Sequence, residues 1–210
     1  MFEPHSPLAS RIERGGRDGA DGRRTLELTE IRPVNLVQLG IFAGGEAPLD
    51  ALVRELTGSA LPLAANVVAS VGGCRLYRIA PDQVWIRTPD SRCGRELERR
   101  VPAAAGTVTV LDAARVCLRV AGASAAALLA HHVPLDLDAT VFAPGHFAQT
   151  GIAHAGVLLE RLAPQAFEML MLRTFAASTF DLLIDSAWPY GYDLDTQAAA
   201  GGGPAASVPR

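Results

Sequence analysis

Four of the five histidines, His131, His132, His146 and His154, crowd one short stretch beside Asp136 and Asp138, residue types that could ligate a divalent metal. Their spacing argues against it. Adjacent histidines at a helix end cannot both face one ion, no H-E-x-x-H occurs, and neither Cys nor Glu stands at zinc-like intervals. A cluster beside a helix C-terminus, where an imidazolium is mildly favoured, accounts for the same residues. Cys74, Cys93 and Cys117 include no C-x-x-C, and their odd number argues for buried thiols over a disulfide framework. No G-x-S-x-G is present, and no Ser or Cys has a histidine neighbour in a known nucleophile pattern. Gly44-Gly45 and Gly72-Gly73 do not complete G-x-G-x-x-G, so nothing but glycine itself suggests a nucleotide. These patterns assign no catalytic, cofactor-binding or metal-ligating residue to the chain.

The remaining charged and aromatic groupings read as surfaces. Asp181 and Asp185 share a helix face at i, i+4, with Asp193 and Asp195 beyond, as on an ordinary solvated face. Arg92, Arg95, Arg99 and Arg100 could receive an acidic partner, but the interleaved Glu96 and Glu98 favour a solvated helix. In Trp188-Pro189-Tyr190-Gly191-Tyr192 three aromatics meet at the end of the last expected helix. Such a group anchors a chain end either into its own core or into a partner.

Composition sets the frame for these groups. With 210 residues, 49% hydrophobic and 20% charged, the chain can bury roughly 70% of its unfolded surface and needs no metal or disulfide staple. The net charge of -3 offers no field for nucleic acid or anionic lipid. All 19 basic residues are arginine, so Schiff-base chemistry, a lysine general base and a P-loop lysine are excluded. No apolar run approaches the roughly 20 residues that span a bilayer, and the N-terminus lacks a signal-like apolar region. The expected location is cytoplasmic.

The elements follow from periodicity. Residues 1–26 are polar, Arg- and Gly-rich, and read as a partly disordered arm; residues 192–210 end in low complexity and read as a disordered tail. The fold is expected over 27–191. It opens with a strand over Asn35–Phe42, followed by a helix over Pro48–Leu56 with Pro in its first turn and Gly58 past its end. A hairpin comes next, Arg75–Ala80 and Val84–Arg87 around Pro81-Asp82, then a helix over 90–100. The succession then recurs. Strands at Val108–Val110 and Arg115–Val120 lead to a helix over Ala123–His131, a hairpin of Gly156–Leu162 and Phe167–Arg173, and a helix over Ala176–Trp188. Leu76-Tyr77-Arg78-Ile79-Ala80-Pro81 answers Leu159-Glu160-Arg161-Leu162-Ala163-Pro164, and Arg87-Thr88 answers Arg173-Thr174. The fold class is therefore α+β, two duplicated mixed α/β units over about 30–105 and 106–191 in a pseudo-twofold relation.

The Ser6-Pro7-Leu8-Ala9 start, the strand and helix of Val34–Leu56, the hairpin Leu76–Ile86, the run from Val108 through Asp112-Ala113-Ala114-Arg115 to Gly122, Ser178-Thr179-Phe180 and Trp188-Pro189-Tyr190-Gly191 together resemble the gamma subunit of heterotetrameric sarcosine oxidase. The likeness covers about 30–191 plus the Ser-Pro-Leu start. It implies a fold similar to the folate-binding domain of the glycine-cleavage aminomethyltransferases, and a non-catalytic chain in a complex that demethylates sarcosine to glycine. FAD, FMN, NAD and tetrahydrofolate are implied for the alpha, beta and delta partners and none for this chain. The implied alternatives are the equivalent subunit of another N-methyl amine demethylase, such as N-methylglutamate dehydrogenase, or a stand-alone folate-binding protein. For the last, Asp112 is the one strand-end acid to aim at a pterin.

Overall fold

The computed structural model describes residues 6–12 and 15–198. The elements run β1 (Gly15–Arg17), β2 (Leu26–Arg32), β3 (Leu36–Ile41), α1 (Glu46–Thr57), β4 (Ala69–Val71), β5 (Cys74–Ala80), β6 (Gln83–Arg87), α2 (Cys93–Arg100), β7 (Gly106–Val110), β8 (Arg115–Ala121), α3 (Ala125–Ala130), β9 (Phe147–Ile152), β10 (Ala155–Ala163), β11 (Ala166–Leu172), α4 (Arg173–Ala187), a 3₁₀ turn (Trp188–Tyr190) and β12 (Tyr192–Ala198). They form two units, Asn35–Val110 and the residues up to Val34 with Leu111–Ala198.

In the unit Asn35–Val110 one sheet has the order β4-β5-β6-β3-β7. All its neighbours are antiparallel, which with α1 and α2 makes a split β-α-β arrangement. Leu49, Leu52 and Val53 of α1 fall at helical spacing and pack with Val37, Leu39, Leu76, Val84, Ile86 and Leu97. The helix stops at Gly58, whose φ of 76° is left-handed and whose N–H donates to Arg54 O. The glycine pair Gly72-Gly73, at φ 57° and 84°, makes the two-residue turn joining β4 to β5, the conformation that primed hairpin turns require.

In the other unit the sheet order is β1-β12-β2-β8-β11-β10-β9. Strand–helix–strand–hairpin–helix–strand recurs as β8-α3-β9-β10-β11-α4-β12, matching β3-α1-β4-β5-β6-α2-β7. The difference is β2, which pairs antiparallel with β8 where β7 pairs with β3, and which carries β12 parallel on its far side. Leu128, Leu129, Phe180 and Leu183 of the helices pack on Leu28, Leu118, Val120, Leu159, Phe167 and Met169 of the strands.

Three expectations are corrected. The arm over 1–26 is structured where described. Leu8 is wholly buried, Ile12 joins the same core, Ser6 Oγ donates to Glu30, and Leu26 already begins β2. The arm carries its own apolar anchors, one helical turn apart, so its polar surroundings do not leave it loose. Met1–His5 and Glu13-Arg14 lie outside the described residues. The tail expected from 192 is strand through Ala198, paired from Tyr192↔Leu26 to Ala198↔Arg32; Ala199–Arg210 lie outside the described residues. The boundary expected at 105/106 falls after Val110, because β7 pairs with β3 from Ile41↔Gly106 to Val37↔Val110.

Candidate functional site

The groups singled out for metal chemistry are dispersed by the fold. His131 caps α3 and meets the Tyr190 hydroxyl at 3.2 Å. His132 is half-buried, and desolvation together with His131 pushes its imidazole below the ordinary range. His146 Nδ1 lies 3.1 Å from Ala143 O. Asp136 and Asp138 close turns, accepting from Asp138 N and Thr140 N. No group of three His, Cys, Asp or Glu among the described residues could hold a metal ion. The glycine pairs have backbone duties: a Cβ on Gly45 would stand 2.0 Å from Ala105 O, and Gly72-Gly73 form the β4–β5 turn. Asp112 lies exposed in the turn before β8.

The three cysteines are free and buried. Burial, with smaller contributions from Cys74 and Asp90, pushes the Cys93 thiol up to about 11, far from the thiolate a nucleophile requires. Arg92, just before α2, pairs with Asp90, while on α2 Arg99 pairs with Glu96 and Arg100 reaches Glu55 of α1. No helix among the described residues is long and apolar enough to cross a membrane.

Two further features stand out. One is a row of polar residues across the large sheet, on the face opposite the helix-packed cluster. Glu160 stands opposite Glu168, Glu168 opposite Arg119, and Arg119 opposite Thr29. Glu160, Glu168 and Thr29 are buried. Two carboxylates directly opposite on one face repel, and Arg119 relieves this by donating Nε and Nη2 to Glu168 Oε1 at 3.0 and 2.7 Å. Both glutamates are engaged in further interactions. Sequence reasoning missed this row. Its signal was a charge set inside an apolar strand, Leu159-Glu160 and Phe167-Glu168-Met169.

The other feature unites the N-terminal segment with the aromatic end of the chain. β1 pairs with β12 from Gly15↔Leu194 to Arg17↔Tyr192. Ala20 N donates to Pro189 O and Thr25 N to Tyr190 O. Arg17 Cζ lies 4.2 Å from the centroid of the Trp188 ring. The two readings of the aromatics divide by residue: Tyr192 is buried in the chain's own core, whereas Trp188 is 57% exposed. Gly191 (φ 66°) is required at the centre, since a Cβ there would stand 2.1 Å from Arg23 O and 2.4 Å from Gly19 N.

No known protein-family model matches the chain. It is 30% identical to the sarcosine oxidase subunit gamma of Corynebacterium sp. (strain P-1) over 87% of its own length and 88% of the relative's. It is 26% identical to that of Arthrobacter sp. over 87% and 88%. Among solved structures it matches a chain of the heterotetrameric sarcosine oxidase from Corynebacterium sp. U-96 with a TM-score of 0.77 and 27% identity, covering 90% of this chain and 96% of that one. It matches the glycine cleavage system aminomethyltransferase T of Bartonella henselae with a TM-score of 0.59 and 14% identity, over 91% of this chain and 57% of that one, a likeness of fold alone.

Proposed function

The chain belongs to the sarcosine oxidase gamma subunit family, and from that premise we propose that it is the non-catalytic gamma subunit of a cytoplasmic heterotetrameric sarcosine oxidase. The match in both sequence and fold along nearly the full length of the relatives carries the reading. In it, the complex oxidatively demethylates sarcosine to glycine and passes the one-carbon unit to tetrahydrofolate. FAD, FMN, NAD and the folate reside on alpha, beta and delta partners. This chain contributes surface, and its buried charges support that role: the Arg119–Glu168 pair lies within a sheet and Arg161 is spent on backbone carbonyls. The β1–β12 corner with Trp188 is the contact element.

Purification of the tagged full-length chain from its native cell tests this. The expected product is a yellow complex with a flavin absorbance spectrum that oxidises sarcosine. A colourless product holding this chain alone, or one that turns over a folate derivative unaided, overturns the reading. A flavin complex active on another N-methyl amine but not on sarcosine reassigns the substrate.

A further inference from the structure

Around the β1–β12 corner the hydrogen-bonding capacity of acids and bases is unequal. Asp18 and Asp193 both accept from Arg24, at 2.8 and 2.6 Å. Asp21 Oδ1 accepts from the backbone N–H of Arg23 at 3.0 Å. Arg17 and Arg23, by contrast, have no carboxylate partner among the described residues. Their backbones converge on one point, since a Cβ on Gly191 would meet Arg23 O at 2.1 Å and Arg17 O at 3.1 Å. Arg17 ends the outermost strand of the sheet and rests on Trp188. A guanidinium stacked on an indole is held in place and still offers its N–H fork to a carboxylate. Arginine and tryptophan together are the residue types that dominate interface energetics.

We propose that this corner seats an acidic segment of a larger subunit, with one carboxylate forked onto Arg17, a second acidic group on Arg23, and Trp188 packed beneath the segment. The proposal rests on the reading of the chain as a subunit of a heterotetramer and names the chemistry of the surface that meets it. A second copy of this chain does not fit, because two such corners brought together would oppose arginine to arginine.

The absence of lysine from the chain supplies a clean experiment. In the full complex assembled by co-expression, Arg17→Lys introduces the chain's single side-chain amine. A zero-length carbodiimide then joins that amine only to a carboxylate in direct contact. The expected product is a link from position 17 to an Asp or Glu of a larger subunit. The same substitution at Arg95, an exposed α2 arginine without a carboxylate partner among the described residues, gives no such link. Arg17→Glu is expected to raise the dissociation constant of this chain from the complex about tenfold or more and to flatten its salt dependence. An intact complex in which position 17 links only within its own chain, links to a second copy, or stays unlinked overturns the proposal and leaves the subunit reading standing. Failure of the unsubstituted chain to join any flavin complex overturns that underlying reading instead.

Discussion

Arg161 occupies the place in its unit that Arg78 occupies in the other, and each guanidinium reaches the proline carbonyl three residues on, Pro164 O and Pro81 O. Each also reaches back to the loop after the preceding helix. Arg78 takes Pro62 O; Arg161 takes Leu137 O at 3.0 Å and Phe142 O at 2.9 Å. The repeat thus keeps a mechanical part as well as an order of elements, an arginine fork that ties a hairpin turn to a helix exit.

Replacing Arg161 with Met leaves several buried carbonyls without a donor. Arg161 is 4% exposed, so a loss of about 3 kcal/mol in unfolding free energy is expected. Arg161→Lys should recover less than half of it, because an ammonium cannot span the fork. Arg78→Met should lose about 1 kcal/mol, since its partner Glu46 is well exposed. Urea titration of the three variants provides the comparison.

Arg119→Met should destabilise by about 3 kcal/mol, because it removes the guanidinium donors from the buried Glu168. Added salt should change this little, since Glu168 is shielded from solvent. Equal losses for Arg119→Met and for Arg99→Met, which breaks an exposed pair on α2, would contradict the assignment of a buried ion pair.

Gly191→Ala combines a left-handed φ with a contact no Cβ can make, and should cost about 2 kcal/mol or more. Gly22→Ala, at φ 76° with nothing near its Cβ, should cost about 1 kcal/mol. Limited proteolysis between Arg17 and Arg24 should accelerate in the first variant and scarcely in the second.

The Cys93 thiol titrates at about 11 in the folded chain against an ordinary 9.0. The folded state holds the proton more tightly, so the contribution to stability is complete below pH 9 and is lost between pH 9 and 11. Over that range the unsubstituted chain should lose about 2 kcal/mol more than Cys93→Ala does. At pH 8, alkylation of native Cys93 should proceed no faster than global unfolding.

Much of this architecture was legible in the residues. Pro48, Leu49, Leu52, Val53 and Gly58 mark α1 by local rules, and Pro81-Asp82 marks the β5–β6 hairpin. The elements that escaped were decided at long range. β2 alternates Leu26, Leu28 and Glu30, but Glu30 reads as solvent-facing until Ser6 is known to bond it. β12 alternates Tyr192, Leu194 and Thr196 against two acids, and its partner β2 lies at the far end of the sequence. α4 begins at Arg173, three residues ahead of the expected Ala176, with no side-chain cap to announce it. The β1–β12 corner was visible as two separate oddities, a polar arm and an aromatic cluster; only the β1–β12 pairing places them together.

Because β2 lies between β8 and β12, the large sheet joins a strand that precedes the Asn35–Val110 unit to strands that follow it. Asn35–Val110 can condense while synthesis is still under way, but Leu26–Arg32 must wait for Tyr192–Ala198 before its outer edge is satisfied. A product lacking β12 therefore leaves the outer edge of β2 as an open template for other chains.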